Sequence, residues 1–375
     1  MLEVFQMERM QSTWENIVDY DLSESGIRAI TLRELIELGF DLDATLDVPL
    51  GYSQSNGTLE LRERLAALYP GTTPDHIEVT NGTSEANYVV ALATLRPGDV
   101  AAFEIPNYYQ LWGVPPSVGA TVATFPLCLE RQWEPDWDAF DRAVTPRTRL
   151  LYISNPNNPT GSILSTEAMQ RIVDRCEHTG TYLMADEVYQ GAELERPLTP
   201  SFWGMSDRVI VTSGLSKAYG IPGVRIGWIV GPPALVATCW SQHDYLTIAP
   251  SKLSDRIAQT AVSPDVRSRL YSRTRAILKD NLPLMRRWVA RFGSAMQFEP
   301  PQAGAIAFMG YDPPAFGGLA SADIADRIRQ EQSTLIVPGS QFGLENHLRI
   351  WLGGRAEFLA TGLARVAQSL DALRD

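Results

Sequence analysis

The stretch SGLSKAYGIPGVRIGW, residues 213–228, holds Lys217 between Ser216 and Ala218, with no acidic residue beside it. Lysine is scarce in this chain. Of 32 basic residues only Lys217, Lys252 and Lys279 are lysines, and the rest are arginines. A solvated lysine sits among polar neighbours, whereas one set among small residues is placed for its amine. In a partly apolar site desolvation lowers proton affinity and makes the amine nucleophilic, which is the requirement for a Schiff base. Arginine stays protonated and cannot take that role. Arg225, eight residues on, has the fork geometry that clamps a phosphate.

Working outward, short apolar runs alternate with helical patterns in the rhythm of βαβ units. Strands are expected at 76–82, 100–106, 148–156, 181–187, 209–214 and 225–231. Near-continuous apolarity in VIVTSG and LLYIS suits strands covered on both faces. Helices are expected at 84–95, with Ala86, Val89, Val90 and Ala93 on one face and Thr83 or Ser84 as N-cap, and at 165–180, from a capping Ser165 or Thr166 to Gly180. Beyond residue 250 the pattern becomes long amphipathic helices, then short strands and a final helix. The expected organisation is an arm at 1–44 packing with the small domain, a large α/β domain at 45–250, and a small α+β domain at 251–375.

Chemistry-bearing residues fall at the strand ends, where open α/β sheets place ligands. In NGTSEA (81–86), Thr83 and Ser84 open a helix whose free N–H groups and dipole would cradle a phosphate; simple capping explains the same residues. In FEIPNYYQLW (103–112), Tyr108 or Tyr109 is available to stack on a flat ring, or to pack as core. SNPNNPTG (154–161) is more specific, because its prolines fix the backbone and present an asparagine at the sheet edge. ADEVY (185–189) ends a strand on Asp186 and Glu187. A carboxylate buried there is costly unless it meets a cation such as a protonated ring nitrogen. A phosphate cradle, an aromatic stacker, an asparagine, a carboxylate, a lysine and an arginine together describe pyridoxal 5'-phosphate, an electron sink that uses a lysine and an acidic partner.

Bulk properties narrow the partners. The net charge of −12 argues against nucleic acid or an anionic membrane as a general partner. Cys128, Cys176 and Cys239 are too scattered for a disulfide framework or a zinc site, and no metal is expected. The amino terminus has charges throughout and no apolar core run, so a signal peptide is not expected. No apolar run reaches spanning length, and a cytoplasmic location is expected.

From about Gly51 onward the chain resembles the fold type I, class I/II aminotransferases, through NPNNPTG, ADEVY, SKAYGIPGVRIGW and RIWLGG in that order. The resemblance implies an α/β fold, a mixed and mostly parallel seven-stranded sheet, and a smaller α+β domain. It implies a PLP-dependent aminotransferase acting on an amino acid through a Lys217 Schiff base, with Lys217 moving the substrate proton and Asp186 pairing the ring nitrogen. Asn158 and Tyr189 would bond the ring hydroxyl and Tyr108 would stack on the ring. Thr83, Ser84, Ser216 and Arg225 would hold the phosphate. Tyr52 would reach the neighbouring active site of a homodimer. Arg349 would bind the substrate carboxylate. One departure is Gly214, where many relatives carry serine; Ser213 or Ser216 would supply that contact.

The arm, in DLSESGIRAITLREL, resembles that of capreomycidine synthase and related arginine-acting enzymes, which implies a cyclase, oxidase or eliminating enzyme as the alternative activity. Glu15, Asp19, Asp21 and Glu24 would offer carboxylates to a guanidinium, or form a solvated acidic face. Gly26 and Arg28 complete the substrate-side expectations. Arg28 stands where the arginine-acting group carries histidine, and this favours ordinary transamination. A non-catalytic binding protein would have lost Lys217 or Asp186, and both are present.

Overall fold

The computed structural model describes residues 2–374. Its main sheet has eight strands: β2 (Ile77–Thr80), β3 (Val100–Ile105), β4 (Thr121–Cys128), β5 (Glu134–Pro135), β6 (Thr148–Ser154), β7 (Tyr182–Asp186), β8 (Val209–Gly214) and β9 (Gly227–Val230), in the order β2-β9-β8-β7-β6-β3-β4-β5. The run β8-β7-β6-β3-β4 is parallel; β9 pairs antiparallel with β8, β2 antiparallel with β9, and the two-residue β5 antiparallel with β4. Thus seven strands carry the sheet and a two-residue edge strand adds an eighth. β4 has no counterpart among the strands expected from sequence. It lies near the sheet edge with an exposed and half-buried pattern, so no continuous apolar run marks it.

The central strands are apolar throughout because both faces are covered. Leu151, Ile153, Leu183, Ala185, Val209 and Val211 join one core with Met169, Ile172 and Val173 of helix Thr166–Thr179. The alternate residues Leu150, Tyr152, Met184 and Ile210 join another core with helix Thr83–Thr94. That helix buries the four residues expected from its spacing. Its N-cap is Gly82, at φ +93°, not Thr83 or Ser84, which fill its first two positions. The other helix matches expectation at both ends, with Ser165 accepting from Ala168 N–H and Gly180 in the left-handed region.

A second antiparallel sheet follows, β10 (Met296–Phe298), β11 (Ile306–Tyr311), β14 (His347–Trp351) and β13 (Val337–Pro338), in that order. Its core takes in Leu278, Leu282 and Met285 from the long helix Pro264–Ala290, and Leu359, Leu363 and Val366 from the last helix, Ala356–Asp371. The helix Lys252–Ala261 lies beyond residue 250 but buries Ala258 and Ala261 in the core of the main sheet, and Asp255 accepts from Thr58. The small-sheet core begins only part-way along the long helix.

The arm divides in the same way. Its strand β1 (Tyr20–Asp21) pairs in parallel with β12 (Thr334–Leu335). Leu22 is fully buried in the small-sheet core, a burial that contributes about 2 kcal/mol. Leu35 and Phe40, later in the arm, pack instead on the main core. Between them, Arg28 N–H donates to Gly353 and Ile30 N–H to Gly220. The arm therefore ties the small sheet to the loop that follows Lys217. No described helix is long and apolar enough to cross a membrane.

Candidate active site

Parallel register builds the floor of the site. It sets Ser154 of β6 beside Asp186 of β7, and Asp186 beside Thr212 of β8. Outside these strand ends lies a cavity of about 290 Å³. Its wall gathers Thr83, Ser84, Tyr108, Asn158, Asp186 and Tyr189, and also Ser216, Lys217 and Arg225. The arm closes the remaining side with Glu8, Gln11, Glu15, Glu24 and Ser25.

Asp186 is buried, and three donors aim at it. Its Oδ2 accepts from Asn87 Nδ2 at 3.0 Å and from the Tyr152 hydroxyl at 3.2 Å, and its Oδ1 accepts from Val188 N–H at 3.1 Å. Asn87 is oriented by the Thr212 hydroxyl, which donates to its Oδ1 at 2.7 Å. Burial still raises the acid's pKa, because these bonds and the more distant Lys217 do not offset desolvation. Sequence reading missed Asn87. It lies on the second turn of its helix, and only the fold shows that this turn faces β7.

Lys217 Nζ donates to Ser25 Oγ at 2.8 Å, so the arm and the lysine meet directly. Gly26 stands beside them: a Cβ there would lie 3.0 Å from the Ser216 carbonyl and 3.5 Å from Lys217 Cδ. Glu24 Oε2 accepts the N–H groups of Ser25 and Gly26. Burial acts to raise its pKa, but the Lys217 ammonium and these two bonds outweigh burial and lower it.

At the other end Arg225 spans Gly82. Its Nη1 donates to Pro222 O at 3.0 Å and to Ser216 Oγ at 3.4 Å, and its Nη2 to Asn81 O at 3.4 Å. A Cβ on Gly82 would sit 2.1 Å from Nη2, so only glycine lets the guanidinium lie over the helix start. The Thr83 hydroxyl is buried with no partner, as is the Tyr189 hydroxyl. Gly214 is explained by the same crowding, since a Cβ there would lie 2.4 Å from Thr83 Oγ1. Of its two expected substitutes, Ser216 lines this cavity, whereas Ser213 lines a different one beside Tyr69 and Trp228.

Arg349 is fully buried just behind the wall rather than on it. Its Nη1 donates to Asn158 Oδ1 at 3.1 Å, its Nη2 to the Ser23 carbonyl, and its Nε has no partner. With Oδ1 occupied, Asn158 keeps its amide N–H₂ for another acceptor. Tyr108 donates to Glu8 Oε1 at 2.8 Å. Arg28 is not on the wall. It is half-exposed and 3.6 Å from Glu34, and its carbonyl accepts from Arg273. Tyr52 is 85% exposed and away from this chain's cavity. Among the arm acids, Glu15 and Glu24 reach the cavity, Asp21 accepts from Ser23, and Asp19 pairs with Arg365. Glu8, absent from the sequence reading, joins them. Burial raises Glu15's pKa, and repulsion from Asp21, Glu24 and Glu8 adds to it.

Comparison with known proteins decides the family. The model for aminotransferase class I and II matches residues 45–366. The chain belongs to the aminotransferase class I and II family. The family is PLP-dependent, and this chain shares its α/β fold with fold type I transferases. Capreomycidine synthase of Streptomyces vinaceus is 30% identical over 363 residues, 93% of this chain and 89% of that protein. A PLP-dependent aminotransferase from Streptococcus suis 89-1591 superposes with a TM-score of 0.92 at 28% identity, over 100% of this chain and 99% of that one. The PLP-dependent cyclase OrfR superposes with a TM-score of 0.88 at 25% identity, over 99% and 98%.

The fit at Gly214 is testable. Gly214→Ser is expected to push Thr83 aside and weaken retention of PLP about tenfold, measured as the dissociation constant of the apoenzyme; affinity equal to the parent would refute the crowding argument.

Proposed function

We propose that this family member binds pyridoxal 5'-phosphate in the cavity described above and transfers the amino group of an amino acid to a 2-oxo acid. The observation that carries the reading is Asp186, a buried acid with three donors and no ion-pair partner, facing the same cavity as Lys217. The unpartnered Thr83 and Tyr189 hydroxyls and the Arg225–Gly82 cradle fit the group's phosphate and ring oxygen. Bound there, the cofactor supplies an electron sink that acidifies the substrate's Cα–H.

The chain's own residues then have distinct tasks. Asp186 holds a ring nitrogen protonated. Asn158 donates its free amide, and Tyr189 its hydroxyl, to the ring oxygen. Lys217 Nζ, relieved of Ser25, would accept the proton from the substrate's Cα and return it at the cofactor's C4′ carbon, two atoms away. Arg349 meets the substrate carboxylate once the Ser23 carbonyl yields. Tyr108 covers the ring, and the arm excludes water above it.

The test is a single turnover. With an L-amino acid and no oxo acid, the holoenzyme is expected to convert to the pyridoxamine form, and Lys217→Ala is expected to lose both the visible band of the lysine-bound cofactor and this conversion; a variant that keeps both would remove Lys217 from its role.

We further propose a homodimer. Leu46, Leu50 and Tyr52 are exposed, as are Tyr245 and Ile248, and the two segments are joined where Ser53 Oγ donates to Pro250 O. Exposed apolar residues grouped in this way support an interface, which would carry Tyr52 toward a second subunit. Sedimentation equilibrium is expected to give twice the chain mass of 41.5 kDa; a monomer would exclude the role of Tyr52.

A second reading rests on the arm. Glu8, Glu15 and Glu24 make one side of the cavity acidic, which suits a guanidinium side chain. Under this reading the enzyme cyclises, oxidises or eliminates from arginine or a hydroxyarginine. Holoenzyme given L-arginine in air without an oxo acid is then expected to form such a product, seen by mass spectrometry. Glu15→Gln is expected to raise KM for arginine by about tenfold, the loss of one charged contact, and to leave aliphatic donors unaffected. Simple conversion of the cofactor to its pyridoxamine form would return the enzyme to transamination.

A further inference from the structure

Behind the helix that begins at Thr83 lies a buried charged cluster that does not touch the cavity. His243, the last residue of helix Pro233–His243, is 0% exposed. Its Nδ1 is 2.7 Å from Glu78 Oε1, on β2, and its Nε2 is 3.3 Å from Glu85 Oε2. Glu78 is also 0% exposed. A neutral imidazole has one N–H and one lone pair. With a carboxylate oxygen at each nitrogen, the neutral ring would set a lone pair against an anion. The Thr247 hydroxyl, 3.1 Å from Nε2, gives its proton to Glu85 Oε1, so Nε2 donates; at Nδ1, burial raises Glu78 to about 7, below the ring's own value, so the proton stays on the imidazolium. Burial acts against that charge, but the bonds to Glu78 and Glu85 outweigh it and hold the proton to about 9.

Glu85 links this cluster to the phosphate cradle. It is the third residue of helix Thr83–Thr94, and its Oε2 accepts from Asn81 N–H at 2.6 Å. Its Oε1 accepts from the Thr247 hydroxyl at 2.7 Å. Thr247 in turn accepts from Asn81 Nδ2 at 2.6 Å and lies 3.1 Å from His243 Nε2. Asn81 precedes Gly82, and its carbonyl accepts from Arg225 Nη2. One chain of contacts thus runs from Glu78 through His243, Glu85 and Asn81 to Arg225.

A carboxylate in this first turn is an electrostatic problem. It helps the helix by bonding N–H groups, but it places a negative charge beside the N-terminus that would accept a dianionic phosphate. An adjacent buried cation removes the conflict.

We propose that His243 is a positioning residue for the cofactor's phosphate: as an imidazolium it neutralises Glu85, so that Glu85 fixes Asn81, Gly82 and Arg225 without repelling the anion. The inference rests on reading Gly82–Ser84 and Arg225 as the phosphate cradle.

The experiment measures dissociation constants of the apoenzyme for PLP and for pyridoxal, which lacks the phosphate, by fluorescence titration. His243→Gln is expected to weaken PLP at least tenfold and leave pyridoxal unchanged. His243→Gln combined with Glu85→Gln is expected to recover most of the loss, because no carboxylate then remains in the helix's first turn beside the phosphate; a packing role would make the double variant worse. Thr247→Val, a milder change, is expected to weaken PLP about threefold. PLP bound as tightly by both His243→Gln and Thr247→Val as by the parent overturns the inference. So does an equal loss of PLP and pyridoxal affinity. Arg225→Ala separates the two layers. If it weakens PLP while His243→Gln does not, only the role of His243 falls; if Arg225→Ala holds PLP normally, the cradle reading falls and takes this inference with it.

Discussion

Asp186 is an acid buried at the end of a parallel strand and held by an amide, a phenol and a backbone N–H, with no ion-pair partner. Such a group costs several kcal/mol unless a cation meets it. The surrounding structure keeps that cost in place. β7 is buried along almost its whole length, so its last side chain cannot reach water without breaking register. Thr212 orients Asn87, and Asn87 aims its N–H at the acid. Under the function proposed above, a protonated ring nitrogen would supply the cation that Asp186 lacks among the described residues.

Two neighbouring acids show that burial alone does not mark function. Glu104 and Glu187 are as deeply buried, and burial pushes each up to about 8. Glu104 Oε1 accepts from Ser154 N–H and the side-chain amides of Asn157 and Asn107. It therefore pins together the two loops that present Asn158 and Tyr108. Glu187 Oε1 accepts from Ser201 and Phe202 and anchors a loop. Asp186 lines the cavity, and these two acids do not. The three perturbed carboxyls differ in what they can meet.

Residues that line the cavity from strand ends and constrained loops were legible in the sequence. Lys217 stood out because it is a lysine among arginines in small surroundings, Asp186 because it ends an apolar strand, and the loop 154–161 because its prolines admit few conformations. What remained hidden depends on tertiary placement. Asn87 and Glu8 sit on helices, where either face reads alike until the neighbours are known. β4 is an alternating strand near the sheet edge and gives no continuous apolar signal. The helix Lys252–Ala261 is amphipathic, and its sequence does not say which core receives its apolar face. Arg28 lies one turn of chain from the lysine loop, yet it points out to Glu34 because its own N–H and carbonyl are fixed by Gly353 and Arg273.

The arm brings these strands of argument together. Its Leu22 is locked into the small-sheet core, while Ser25 touches Lys217 and Ile30 bonds Gly220. Any shift of the small sheet relative to the main sheet therefore moves Ser25 against the Lys217 amine. The same segment carries Glu24 beside Lys217, and Glu15 lines the same side of the cavity. Under the arginine reading, an element that both seals the lysine and supplies the acidic wall would join substrate charge to closure: burial and then repulsion from Asp21, Glu24 and Glu8 raise Glu15's pKa, and a cationic side chain would relieve the repulsion, whereas an anionic one would add to it. Under the functions proposed above, selection of the substrate and exclusion of water would both depend on one buried leucine anchor and the few residues on either side of it.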